Sequence, residues 1–207
     1  MEENKIVKHI RAERVDIVEA DGTMKMSLFN STNIPPALMD GEDILPGHRQ
    51  GDGRSGILFF NTEGDECGGL IFGSHKGPDG SYHAGMSLTF DQYKNDQVIQ
   101  LLYEENNDGS SYGFLVTDKG SASIKETVAL VNAMNETEDP EEKERIMAEL
   151  MTHSVLRMRV GKLRDDSVGV NLYDKNGKPR IRICVDADDN PRFEILDAEG
   201  NVKAVEI

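Results

Sequence analysis

Apolar and polar residues alternate with period two along most of the chain, the spacing of strands with one wet face and one dry face. Ile181, Ile183 and Val185 fall on one face of such a strand, and Arg180, Arg182 and Cys184 fall on the other. Comparable runs predict strands at 14–19, 24–29, 56–60, 68–73, 84–90, 97–104, 112–118, 154–160, 167–173 and 179–186, with a terminal hairpin at 192–207. Between them recur quartets that close on glycine: Glu19-Ala20-Asp21-Gly22, Asn61-Thr62-Glu63-Gly64, Gly77-Pro78-Asp79-Gly80, Asn106-Asn107-Asp108-Gly109, Asp174-Lys175-Asn176-Gly177 and Asp197-Ala198-Glu199-Gly200. An Asp or Asn opening the quartet caps a type I turn with its side chain, and the closing Gly takes the left-handed conformation. A basic residue follows several of these glycines three positions on (Lys25, Arg180, Lys203), and Asn190-Pro191-Arg192 is a near variant with Asn at the left-handed position. A lone hairpin cannot bury its apolar side, so the units must pack side by side or across a subunit boundary. The expected fold is therefore mainly β, an antiparallel meander of hairpins forming a sandwich or barrel-like body.

Two segments break the alternation. Residues 31–55 hold Pro35, Pro36, Pro46, Gly41, Gly47, Gly51 and Gly53 with few periodic apolar positions, which reads as a disordered segment, a covering arm or a lid. Ile124, Val128, Val131 and Met134 then follow helical spacing. Asp139-Pro140-Glu141-Glu142 supplies an N-cap, a first-turn proline and a capping-box acid for a second helix striped by Ile146, Met147, Leu150 and Met151. The Met-bearing stripes are expected to be core contacts, with a partner surface as the alternative. This helical hairpin near 122–152 divides the chain into an N-terminal β part (1–120), the insert (121–153) and a C-terminal β-hairpin part (154–207).

Composition narrows the function classes. The chain of 207 residues carries a net charge of −15, with a pI near 4.7 and a mean hydropathy of −0.51. So acidic a surface repels phosphate backbones, and nucleic acid is not an expected partner. No apolar run approaches the length of a membrane helix, and the N-terminus does not read as a signal peptide. Cys67 and Cys184 are far apart and form no Cys-x-x-Cys pair, which fits buried thiols in a reducing cytoplasm. The chain is read as lacking a Gly-x-Ser-x-Gly nucleophile elbow, a Walker loop, a Gly-x-Gly-x-x-Gly dinucleotide loop and a His-Glu-x-x-His metal motif. No cofactor is implied.

Candidate chemistry concentrates in two polar segments. Residues 61–69 hold Asn61, Glu63, Asp65 and Glu66 ahead of Gly68-Gly69, and paired glycines within a strand indicate a bulge or a close approach by backbone or ligand. Residues 90–97 hold Asp91, Gln92, Tyr93, Asp96 and Gln97. If the segments meet, Glu63, Glu66, Asp91 and Tyr93 form the catalytic candidates, with Asn61, Gln92, Asp96 and Gln97 as ligand-binding neighbours. A carboxylate there with a raised pKa suits general acid or base work. Apart, each segment is a solvated hairpin tip. His75 and His83 flank the turn at Gly77–Gly80, either as a metal pair completed by a carboxylate or as exposed edge histidines. Asp186-Ala187-Asp188-Asp189-Asn190 resembles half a calcium loop, but lacks the glycine and the twelfth-position acid.

Phe60-Asn61 through Gly68-Gly69-Leu70-Ile71-Phe72, Leu88-Thr89-Phe90-Asp91-Gln92-Tyr93 with Asp96-Gln97, and the closing Asp-x-x-Gly-x-x-Arg hairpins resemble an uncharacterised family of bacterial proteins. The likeness runs from about residue 10 to the end, with the helical pair as a variable insert. It implies a bacterial source and a single folding unit, and no activity. Two functions stand: a non-catalytic binding or assembly protein, homo-oligomeric or with a protein partner, or a small-molecule-binding β protein or enzyme using the two polar segments.

Overall fold

A computed structural model describes residues 7–49, 51 and 53–203. The protein is mainly β, an antiparallel meander with an inserted helical pair, as the alternation implies. Strands β1 (Arg14–Val18) and β2 (Met24–Phe29) precede a small separate hairpin of β3 (Leu38–Met39) and β4 (Glu42–Asp43). The meander resumes with β5 (Ser55–Phe60), β6 (Glu66–Lys76), β7 (Tyr82–Asp91), β8 (Gln97–Asn106) and β9 (Gly109–Lys119). Helices α1 (Ile124–Glu136) and α2 (Pro140–His153) follow. The chain closes with β10 (Ser154–Lys162), β11 (Val168–Tyr173), β12 (Pro179–Val185), β13 (Pro191–Leu196) and β14 (Val202–Lys203). All but β3 and β4 form one sheet of 12 strands whose spatial order is the chain order, and its two edges, β1 and β14, do not meet. Residues 204–207 of the expected terminal hairpin lie outside the described residues.

The recurring quartets are the corners of this meander. In the turn at Asp174, one carboxylate oxygen accepts from the backbone N–H of Asn176 (2.8 Å) and of Lys178 (3.0 Å), and the other accepts from Arg180 Nε at 2.9 Å. Asp186 repeats the device with Asp188, Asn190 and Arg192. At these two turns the basic residue is thus the ion-pair partner of the acid that opens the turn, whereas Lys25 donates to the Asn61 carbonyl at 2.8 Å. At 186–190 the left-handed position is taken by Asp189 (φ 60°) rather than by Asn190, which donates to Asp186 instead. The calcium-like spacing there is a capped turn closed by Arg192.

These hydrogen bonds hold the carboxylates of Asp174, Asp186 and Asp197 below their usual range. A lowered folded-state pKa gives stability that is present above the unfolded value and lost as pH falls through the folded one. Asp186→Ala is accordingly expected to lower the melting temperature by a few degrees at pH 7 and by less at pH 3, read by calorimetry. Equal shifts at both pH values would remove the capping account.

Strand register sorts the side chains into two unlike faces. One rung joins Val15, Leu28, Ile57, Leu70 and Leu88 across neighbouring strands. It continues without interruption through Leu101, Phe114, Val160, Val170, Ile183 and Phe193. The next rung runs from Ile17 and Met26 through Phe90, Ile99 and Val116 to Leu172, Ile181 and Ile195, with Gly68 its one position without a side chain. From β1 to β13 neither rung contains an ionisable group, and the second ends on Lys203 of the edge strand β14. The opposite face is polar: Thr89, Gln100, Leu115, Arg159, Asn171, Arg182 and Glu194 stand in register. There Arg182 bonds Glu194 at 2.9 Å and Asn171 at 3.3 Å.

The main buried cluster covers only the first part of the polar face. Residues 31–49 fold over it as an arm, and Phe29, Leu58 and Phe60 pack with Ile34, Leu38 and Ile71. Ala37 and Met39 of the arm are also buried. The segment is thus a covering arm with its own small hairpin. It lies on the sheet by side-chain burial rather than as a ladder strand.

The helices form where their caps indicate. Ser123 and Glu126 make a reciprocal capping box, whereas at α2 Asp139 accepts from the Glu141 N–H at 3.0 Å and gives its own N–H to Thr137 Oγ1, so Glu142 closes no box there. Val128 and Ile146 are buried between them and Leu150 is half-buried, but Met147 and Met151 are 46% and 69% exposed, so the methionine side of the α2 stripe is not core. The shortfall is geometric: α2 packs on α1 and the start of β10, leaving its far side without a neighbour.

Candidate functional site

The two polar segments meet. Residues 61–65 form the β5–β6 turn and 92–96 the β7–β8 turn, and strand order places these corners at the same end of the sheet. Tyr93 donates its hydroxyl to Glu63 at 2.8 Å. Lys94 pairs with Asp40 of the arm, with Glu63 at 3.0 Å and with fully buried Asp65 at 3.9 Å. Asp65 in turn accepts the Asp40 backbone N–H at 2.6 Å. The carboxylates of Asp40, Glu63 and Asp65 lie within 4.8 Å of one another, a cation-like spacing, but the Lys94 ammonium is the cation that bridges them. These contacts raise the Lys94 pKa, and the Tyr93 hydroxyl and Lys94 lower that of Glu63. The network clips the arm to the sheet.

Behind it lies a cavity of about 560 Å³ between arm and sheet. Glu66, Asp91, Asn95, Asp96, Gln97 and Gln100 line its polar side, and Ile34, Leu38, Met39, Ile44 and Leu45 of the arm line its apolar side. Arg49 reaches in from the arm and forks over Glu66, at 3.0 Å (Nη2–Oε1) and 2.7 Å (Nη1–Oε2). Lys119, almost buried, pairs with Asp96 at 3.1 Å. Asp91 receives no such partner: its Oδ1 is buried without a hydrogen bond. Burial, then the Glu66 and Asp96 charges, push its carboxyl up to about 7, against the opposing pull of Lys119 and Arg49. A carboxyl that exchanges its proton near neutral pH is thus held beside two paired carboxylates and their two cations.

Of the residues singled out in the sequence, Glu66, Asp91, Asp96 and Gln97 line the cavity, as do His75 and His83. Glu63 and Tyr93 stand outside it in the clip, and Asn61 caps its own turn by accepting from the N–H groups of Glu63 (2.8 Å) and Asp65 (3.0 Å). Gln92 is exposed in the β7–β8 turn. Arg49, Asn95, Gln100, Lys94 and Lys119 belong to the site without having stood out. Their signal is weak, because a lone Arg in a Pro/Gly-rich arm or a Lys at a strand end has no local partner to mark it.

Gly68 and Gly69 are explained by neighbouring backbone. A Cβ on Gly68 would stand 2.4 Å from the Thr89 carbonyl oxygen, and one on Gly69 would stand 2.7 Å from that of Ile57. His75 and His83 are cross-strand partners, and among the described residues no third ligand group closes on them. Two glycine spacings do occur in the chain, contrary to the reading above. Gly109-Ser110-Ser111-Tyr112-Gly113 lies within strand β9 with Ser111 buried, so it makes no strand-to-helix elbow. Gly51-Asp52-Gly53-Arg54-Ser55-Gly56 leads into strand β5 rather than into a helix, so no helix N-terminus awaits a phosphate.

No known protein-family model matches the chain, and none of the curated proteins compared with it is recognisably similar. No helix among the described residues is long and apolar enough to cross a membrane.

Proposed function

We propose that this is a non-catalytic β-rich assembly and binding protein, which buries the apolar face of its sheet against another protein and presents the polar face, with its cavity, outward. The observation that supports the reading is the uncharged apolar rung spanning β1 to β13. Large contiguous apolar patches on soluble proteins mark interaction surfaces. A cytoplasmic place of action and a bacterial source belong to the same reading, resting on the free thiols of Cys67 and Cys184 and on the family likeness.

Hydroxyl-radical footprinting of the protein isolated from its host tests it. Met86 stands beside the apolar rungs at 49% exposure and Met151 on α2 at 69%. The expected result is oxidation at Met151 with Met86 strongly protected. Labelling of both in proportion to those exposures means the face is open to water, and the reading fails.

A second reading has one specific observation behind it: Glu66, Asp91, Asp96 and Gln97 line a single cavity. On that reading the cavity takes a small polar molecule and Asp91 serves as general acid or base. A ligand whose binding raises the melting temperature of the parent protein but not of a Glu66→Gln variant would favour it.

A further inference from the structure

We infer that the occupant of the apolar face is a second copy of this chain, the two sheets packing face to face about a twofold axis to make a two-layer sandwich. The inference rests on the assembly reading above and names the partner.

Dimensions come first. Strands lie about 4.8 Å apart, so the eleven strands of the unbroken rung make a strip of roughly 50 Å. A helix covers a width of about 10 Å, so a helical partner needs around five helices side by side. The chain's own pair does not serve, since α1 and α2 pack on each other and on the start of β10. An identical sheet matches the strip in one contact. Sheets that pack aligned sit about 10 Å apart with their strand directions about 30° off, an angle that their own twist supplies. A twofold axis also pairs the patch with itself, so no second complementary surface is required.

Area points the same way. The accessible surface of the chain is 13845 Å², whereas a compact monomer of 23.0 kDa exposes about 9,600 Å². The excess is roughly 4,000 Å² per chain. Burying half of it on each protomer makes an interface of about 4,000 Å² in total, within the range of obligate homodimers. Phe90, Leu101, Ile183 and Phe193 are each 47–51% exposed in the isolated chain, which is where such burial acts.

Charge selects among occupants. With a net charge of −15 the chain repels an anionic membrane surface. A basic partner is drawn to carboxylates, yet the two rungs have none. Two copies avoid much of their mutual repulsion, because the two central rungs are uncharged from β1 to β13 and the nearest ionisable group of β10 on that face, Lys162, stands one rung further out beside Tyr112 and Val168. Across that separation salt screens much of the field.

The test uses the full chain, refolded from denaturant so that no host protein travels with it, and read by sedimentation velocity over a range of concentrations. The expected mass is twice 23.0 kDa at micromolar concentration. Leu101→Ala should retain the fold and weaken self-association at least tenfold. Leu101→Glu with Val170→Glu should abolish it, and Glu104→Lys on the opposite face should leave it unchanged. A folded monomer whose Met86 is freely oxidised overturns both the second copy and the assembly reading. A refolded chain that stays monomeric, while the host-derived protein carries a different subunit on a protected Met86, overturns the second copy alone. A dimer that Leu101→Ala and the double variant leave intact also overturns it, since the contact then lies elsewhere.

Discussion

Leu58→Ala is expected to lower the unfolding free energy by about 2–5 kcal/mol, the range for emptying a well-packed leucine site. Leu58 is 2% exposed, and it joins Phe29 and Phe60 to Ile34, Leu38 and Ile71, where the arm meets the sheet. Few other residues bury their side chains this fully, so the site has little redundancy. The cavity left behind also adjoins the existing one, which Leu58 lines. The arm should therefore loosen before the sheet does. Urea unfolding would give the loss, and limited proteolysis should cut within residues 41–49 in the variant first. A loss under about 1 kcal/mol, with the arm still protected, would mean that the Lys94 clip alone holds it.

Asp91→Asn should stabilise the protein, and the gain should depend on pH. An ordinary aspartate titrates at 3.8, whereas Asp91 is pushed up to about 7. Below the unfolded value both states hold the proton and there is no penalty. Between the two values the folded state keeps a proton that the unfolded state has released, so stability falls as pH rises. Above 7 the full penalty applies, at most about 4 kcal/mol. The amide has no charge to desolvate, so a gain of about 2–3 kcal/mol is expected at pH 8 and close to none at pH 4. This slope is opposite to that of the turn aspartates, which favour the folded state as pH rises. Urea titrations of parent and variant at both pH values decide the matter. A gain of equal size at pH 4 and pH 8 would show that the side chain is not held as described. If Glu66→Gln leaves the parent's slope unchanged, the neighbouring carboxylate is not among its causes.

Much of the fold was legible because its determinants are local. The corner at Asp174 needs an acid, two backbone N–H groups and an arginine within six residues, and all stand in the chain as read. The caps of α1 and α2 are equally short-range, and alternation along one strand already separates its wet and dry sides. Where sequence reading slipped, the cause was a neighbour it did not contain. The arm at 31–49 has no periodicity of its own because the sheet beneath supplies its apolar contacts. The Met147 and Met151 stripe has the right spacing but no element in front of it.

The candidate site divides along the same line. The carboxylates at 63, 66, 91 and 96 stood out as dense polar segments, yet their roles came from contacts over long stretches of chain. Arg49 neutralises Glu66, Lys119 neutralises Asp96 and Lys94 ties Glu63 to the arm, so Asp91 alone is left without a counter-charge.

By itself the sequence determined strands, corners and caps, because hydrogen bonds between residues a few positions apart do not depend on where the rest of the chain goes. Only the tertiary structure decided that eleven apolar positions fall into one uninterrupted row and that residues 61–69 and 90–97 share a cavity. Both depend on register between strands, and a slip of one residue would turn every side chain of a strand to the other face.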